Sequence, residues 1–154
     1  MGAEGKCILL VEDDTNDTFF LRFAFEKAGI ANPLHAVTDG QEAIDYFSGT
    51  GQWADRDAFP IPSLVLLDLK LPVKSGFEFL EWLRARPQFA AVVVLVLTSS
   101  SDQKDIEEAY RLGASSFVVK PLTVEKRIHL ARLIKEYWIE LNLFPGLLAK
   151  PKKK

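Results

Sequence analysis

Residues 63–72 read Ser63-Leu64-Val65-Leu66-Leu67-Asp68-Leu69-Lys70-Leu71-Pro72, a nearly unbroken apolar run that closes on one carboxylate. A strand of this kind has no polar face to give to water. It is at home only inside a parallel sheet covered on both sides, and that requirement narrows the possible folds to layered α/β architectures. In such sheets chemistry collects beyond the carboxyl ends of the strands, which is where Asp68 stands. Asp is also a common turn residue, so position alone leaves two readings: a turn residue, or part of a site. A charge at a buried strand end is costly without partners, and the rest of the chain must supply them.

The same strand-then-helix unit recurs along the chain. Residues 6–11 form an apolar strand that ends on Glu12-Asp13-Asp14. Thr15 and Asn16 are candidate caps for a helix that runs to about Ala28, with Asp17 favourably placed in its first turn and Gly29 as the stop. Phe20, Ala24 and Ala28 make one stripe of this helix, and Phe19 with Phe23 a second. The second stripe suits either a thick core helix or a face for a protein partner. A short strand over 33–37 leads to Thr38-Asp39-Gly40-Gln41, which has capping-box spacing, and to a helix ended by Gly49-Thr50-Gly51. The loop over 51–62 carries Trp53, Phe59, Pro60 and Pro62, and so should pack down on the domain. After the central strand come a turn at 73–76 and a helix over 77–86. The strand over 91–97 ends on Thr98-Ser99-Ser100-Ser101, and the helix over 102–112 closes at Gly113. The strand over 116–119 ends on Lys120-Pro121. The last helix, capped by Thr123, reaches about Leu141. Five repeats of this alternation predict a doubly wound five-stranded parallel sheet with right-handed crossovers.

With 154 residues, the chain is long enough for one domain with a full core. Its formal charge of −2 gives no global attraction to nucleic acid or to an anionic membrane. No stretch is long and apolar enough to span a bilayer, and residues 1–6 do not form a signal peptide. Residues 1–5 are expected to be a disordered start. The lone Cys7 reads as a small core hydrophobe and fits a reducing cytoplasm. The basic end at 150–154 reads as a solvated tail.

Read together, the strand ends carry Glu12 and Asp13, then Asp68, Thr98 and Lys120. In a flavodoxin-like strand order of 2-1-3-4-5, the first and third strands are neighbours, and their acids face one crevice. Paired carboxylates repel by ~1 kcal/mol in water-like surroundings and ~4 kcal/mol at an effective dielectric of about 20. Raised pKa values or a bound divalent cation relieve the repulsion. An all-oxygen cluster without Cys or His suits a hard ion such as Mg2+, or Mn2+. A carboxylate beside such an ion, a lysine and a hydroxyl is equipped to accept a phosphoryl group, with Asp68 as nucleophile and Lys120 and Thr98 as donors.

The residues that carry this chemistry bring a family into view. Leu10-Val11-Glu12-Asp13-Asp14, Leu66-Leu67-Asp68-Leu69-Lys70-Leu71-Pro72 with Ser75-Gly76, Leu97-Thr98-Ser99, Gly113-Ala114 and Phe117-Val118-Val119-Lys120-Pro121 together resemble the receiver domain of two-component response regulators over about residues 6–138. The resemblance implies that Asp68 takes phosphate from a sensor histidine kinase. It implies direct metal ligation by Asp13, Asp68 and the Lys70 backbone carbonyl, with Glu12 acting through water. Thr98 and Phe117 would form the switch, and the Lys120–Pro121 bond would be cis. The run at 39–47, the long loop with Asp55-Arg56 and Phe59-Pro60, and the ending Trp138-Ile139-Glu140-Leu141-Asn142 are similar to stand-alone regulators paired with phytochromes.

Three positions depart from the common pattern. Glu12 stands where Asp is more frequent, and Phe117 replaces a frequent Tyr and brings no phenol hydroxyl. Lys70 sits two residues past the nucleophile, where it can reach Glu12 or a phosphoryl group. A phosphatase of the haloacid dehalogenase type needs an acid at Lys70, and a flavodoxin-like carrier needs a phosphate loop where Glu12-Asp13-Asp14 stands. A receiver-like module that works without phosphorylation is the remaining alternative. With no output domain expected after the receiver at 6–141, the signal would pass by protein contact. The arm over 142–154 continues an apolar stretch containing Leu141, Leu143, Phe144, Leu147 and Leu148. With Tyr137 and Trp138 it suits either a symmetric homodimer or folding back on its own domain. Phe19 and Phe23 are the other candidates for partner contact.

Overall fold

The computed structural model describes residues 7–145. Five parallel strands make one sheet in the order β2-β1-β3-β4-β5, as the strand-and-helix alternation predicts. They are β1 (Ile8–Val11), β2 (Leu34–Val37), β3 (Leu64–Leu67), β4 (Val93–Thr98) and β5 (Ser116–Val119). The helices are α1 (Thr15–Lys27), α2 (Gly40–Ser48), α3 (Gly76–Arg84), α4 (Gln103–Arg111) and α5 (Val124–Leu133).

The two-residue period of a strand sorts the apolar runs into two cores. Leu9, Val11, Val65, Leu67 and Val94 point to one face, where they meet Ala43 and Phe47 of α2 and Phe79, Leu80 and Leu83 of α3. Ile8, Leu10, Leu64, Leu66, Leu95 and Leu97 point to the other, against Leu21, Ala24 and Phe25 of α1 and Ala131 of α5. Each covered Val, Leu, Ile or Phe among them contributes ~1.5–3 kcal/mol of transfer free energy, the largest favourable term in the fold. Leu69, Val96 and Ala109 form a third, small cluster, with Phe117 packed against it. Cys7 is buried beside the Tyr46 hydroxyl and the Pro60 carbonyl, and burial pushes its thiol up. The loop after α2 does pack down: Trp53 and Phe59 meet edge to face, both lie against Tyr46, and Arg56 donates to the carbonyls of Phe47 and Phe59.

Several local expectations need correction. The cap of α1 is Asp14, whose carboxylate accepts from the N–H groups of Asn16 and Asp17, and neither Thr15 nor Asn16 takes that place. Asp39 caps α2 by accepting from Glu42, while the Thr38 N–H and hydroxyl donate to the Glu42 side chain. In both cases a carboxylate next to the expected hydroxyl or amide is the stronger acceptor for an orphan N–H. The Lys120–Pro121 bond, expected cis, is trans, the isomer favoured before proline by about 0.5–1 kcal/mol. Beyond α5 the helix continues but widens to π geometry over Ile134–Leu141, which the periodicity did not announce. The arm lies within the described residues only as far as residue 145. The expected disordered start, Leu147, Leu148 and the basic tail fall outside them.

Candidate functional site

Register brings the site together. Val11 pairs with Leu67, Leu67 with Val96, and Thr98 with Val119, so the strands end side by side. Glu12 and Asp13 leave β1 next to Asp68, whose N–H donates to the Val11 carbonyl at 3.0 Å. Thr98 closes β4, and its carbonyl accepts from the Lys120 N–H at 2.7 Å. Glu12, Asp68 and Thr98 are 4%, 7% and 0% exposed, so three polar groups lie beneath the surface of the crevice. Asp13 is exposed at its mouth.

Asp68 is held from both sides. Its Oδ1 accepts from the N–H of Leu69 at 2.7 Å and more weakly from that of Lys70 at 3.4 Å. Its Oδ2 accepts from Lys120 Nζ at 3.1 Å. The loop that carries it is braced by Gly76, whose N–H donates to the Leu69 carbonyl at 2.9 Å. A Cβ on Gly76 would lie 2.8 Å from the Leu69 Cα and still closer to the Asp68 carbonyl oxygen, so no side chain fits there. Val73, in the same loop, adopts φ 66°, a strained conformation for a β-branched residue.

Lys120 is the electrostatic hub. Its Nζ lies 2.6 Å from Glu12 Oε1, 2.8 Å from Asp17 Oδ2 and 3.1 Å from Asp68 Oδ2. Burial alone would lower the lysine, but the carboxylates of Asp17, Glu12 and Asp68 outweigh it and hold the ammonium above its ordinary value. Burial also pushes the Glu12 carboxyl up to about 7, against the hydrogen bonds from Lys120 and from the Asp14 N–H. The crevice therefore holds more acid than one ammonium can neutralise. Glu12, Asp13 and Asp68 each present a carboxylate oxygen, all within 4.8 Å of one another. An oxygen-only donor set of that spacing fits a hard divalent cation.

The other residues singled out in the sequence are placed as follows. The Lys70 side chain is exposed, and Glu12 is paired with Lys120. Phe117 is half-buried against the Leu69, Val96 and Ala109 cluster. Phe19 is exposed and Phe23 half-buried under Lys27, so the second stripe of α1 is not core in the way Leu21, Ala24 and Phe25 are. Tyr137 is exposed and packs edge to face on Trp138, which is itself packed on the α1–α5 core. Leu141 and Leu143 are 69% and 89% exposed, and Phe144 is half-buried.

The response regulator receiver domain family matches residues 8–132. This chain belongs to that family. It is 35% identical over 142 residues to a protein of Methanothrix harundinacea described as the probable methanogenesis regulatory protein FilR2, covering 90% of this chain and 87% of that one. The crystal structure of the phosphorylated cyanobacterial phytochrome response regulator RcpA superposes with a TM-score of 0.83 at 30% identity, covering 91% of this chain and 98% of the other. The Mn2+-bound form of response regulator Rcp1, a Synechocystis protein, superposes with a TM-score of 0.81 at 29% identity, over 91% and 99% of the two chains. This receiver is thus close to the phytochrome response regulators in both sequence and fold.

Reading the sequence alone missed the pairing of Asp17 with Lys120, since it placed Asp17 only as a favourable charge near a helix N-terminus. Its partner Lys120 lies 103 residues away, and only the fold brings them together. The one local signal was its place in the first turn of α1, which starts directly after the strand-end acids.

Proposed function

We propose that the protein is a phosphoacceptor: Asp68 receives a phosphoryl group from a sensor histidine kinase, and the phosphorylated receiver signals by protein contact. The observation that carries this reading is the setting of Asp68. It is a buried carboxylate with one oxygen tied to backbone N–H groups and the other on Lys120, beside a cluster suited to a hard cation. In the transfer, an Asp68 oxygen attacks phosphorus as the bond to the phosphohistidine nitrogen breaks, and the leaving imidazole takes up a proton. Lys120 and the Thr98 hydroxyl are the donors for phosphoryl oxygens. Mg2+ or Mn2+ would be held by Asp13, Asp68 and the Lys70 carbonyl, with Glu12 through water, and would supply charge neutralisation of the phosphoryl group. Thr98 and Phe117 would relay the change.

The likeness to RcpA supports a phytochrome-type kinase as the donor. The exposed Leu141 and Leu143, continuous with Tyr137, support a homodimer formed through the last helix and arm. The test of the core reading is intact mass after incubation with acetyl phosphate and Mg2+. Wild type should gain one phosphoryl group, and Asp68→Asn should gain none. An unmodified wild type under these conditions, and again with a phosphorylated phytochrome-type kinase, would leave phosphorylation-independent binding as the function.

A further inference from the structure

Three carboxylates share the Lys120 ammonium, but only two of them belong to the acidic cluster at the strand ends. The third, Asp17, comes from the first turn of α1 and makes a 2.8 Å bond to Nζ, shorter than that of Asp68. Asp17 is itself fixed on three sides. Its N–H donates to the Asp14 cap at 3.2 Å. Its second oxygen, Oδ1, lies 3.9 Å from the Arg127 guanidinium of α5. Arg127 in turn lies over the Phe20 ring, 4.9 Å from its centroid. An ammonium has three donors, and here all three are committed.

We infer that Asp17 is a positioning residue for Lys120: it holds the ammonium beside Asp68, ready for an incoming phosphoryl oxygen. The inference rests on the phosphoacceptor reading and deepens it. When Asp68 becomes an acyl phosphate its charge moves onto the phosphoryl oxygens. The donor that pointed to Asp68 Oδ2, the longest of the three contacts, is the one free to follow it. Glu12 and Asp17 retain the other two donors, so the long lysine chain loses little rotamer freedom at that moment. Glu12 alone would leave Lys120 tethered to a group that also faces the cation cluster. Asp17 stands outside that cluster and is devoted to the lysine and to Arg127.

The experiment compares Asp17→Asn and Asp17→Glu with wild type in two readouts. The first is the rate of phosphorylation across a range of acetyl phosphate concentrations, in wild-type and Lys120→Ala backgrounds, with Mg2+ affinity measured in parallel. Asp17→Asn should lower the maximal rate about fivefold to tenfold, as expected for loss of one charge-assisted hydrogen bond to a catalytic donor. Mg2+ affinity should stay within about twofold, and Asp17→Glu should recover part of the rate. In the Lys120→Ala background the same substitution should have no further effect, because its action passes through the lysine. The second readout is the 15N signal of the Lys120 ammonium in unphosphorylated protein, which should be resolved in wild type and lost to exchange in Asp17→Asn. Unchanged kinetics, or a deficit that persists without Lys120, would overturn the role of Asp17. If wild type took no phosphoryl group, the phosphoacceptor reading would fail separately, while the ammonium signal would still decide whether Asp17 holds Lys120.

Discussion

At the scale of single residues, the acidic crevice links protonation to metal binding. Burial raises the Glu12 carboxyl from 4.5 in the unfolded chain to about 7 in the fold. The folded state therefore binds more protons than the unfolded state between those values, and stability must fall as pH rises through that window. For metal-free protein, urea denaturation should show highest stability from this group below about pH 4.5 and a progressive loss toward pH 7. Saturating Mg2+ should flatten that slope, because the ion favours the carboxylate; a slope unchanged by Mg2+ would separate Glu12 from the metal cluster. Val73 gives a second prediction. Its φ of 66° places a β-branched residue where Asn is better tolerated. Val73→Asn should raise stability by about 0.5–1 kcal/mol, seen as a higher thermal midpoint. The side chain is largely exposed, so little packing is lost in exchange.

At the scale of elements, α3 shows how local chemistry fixes the loop that carries Asp68. Ser75 and Glu78 form a reciprocal capping box, with Ser75 N–H to Glu78 Oε1 at 2.8 Å and Glu78 N–H to Ser75 Oγ at 3.2 Å. Ser75→Ala should cost about 1 kcal/mol in equilibrium unfolding. The strands were legible because their apolar runs leave no polar face, which only a doubly covered sheet satisfies. The strand-end residues Glu12, Asp13, Asp68, Thr98 and Lys120 were legible for the same reason: once the strand order is known, they must meet. Caps were less legible, since several polar side chains compete for the same N–H groups over two or three residues. Asp14 and Asp39 won that competition over the neighbouring side chains. The π geometry of Ile134–Leu141 was hidden because Leu133, Ile134, Tyr137 and Trp138 repeat at α-helical spacing, although the buried pair Ile134 and Ile139 stands five residues apart. Asp17 was illegible as a site residue because its local environment already explained an acid there.

At the scale of the whole molecule, the question is what covers the exposed apolar end. Leu141 and Leu143 lie outside both cores, although Trp138 and Ile139 just before them pack inward. Sedimentation at micromolar concentration should give a dimer for the full chain and a monomer for a chain ending at residue 141. A monomer in both cases would remove the dimer from the proposal. Inside the molecule, the peptide after Asp68 has a consequence of its own. The Leu69 N–H is bonded to the carboxylate proposed as phosphoacceptor, while the Leu69 side chain is packed with Val96, Ala109 and Phe117. An electrostatic event at the crevice and a mechanical event in the interior are thus one residue apart. On the proposed phosphorylation, a shift of this carboxylate would not need to cross a flexible loop to reach α4 and β5, because the next side chain is already packed against them.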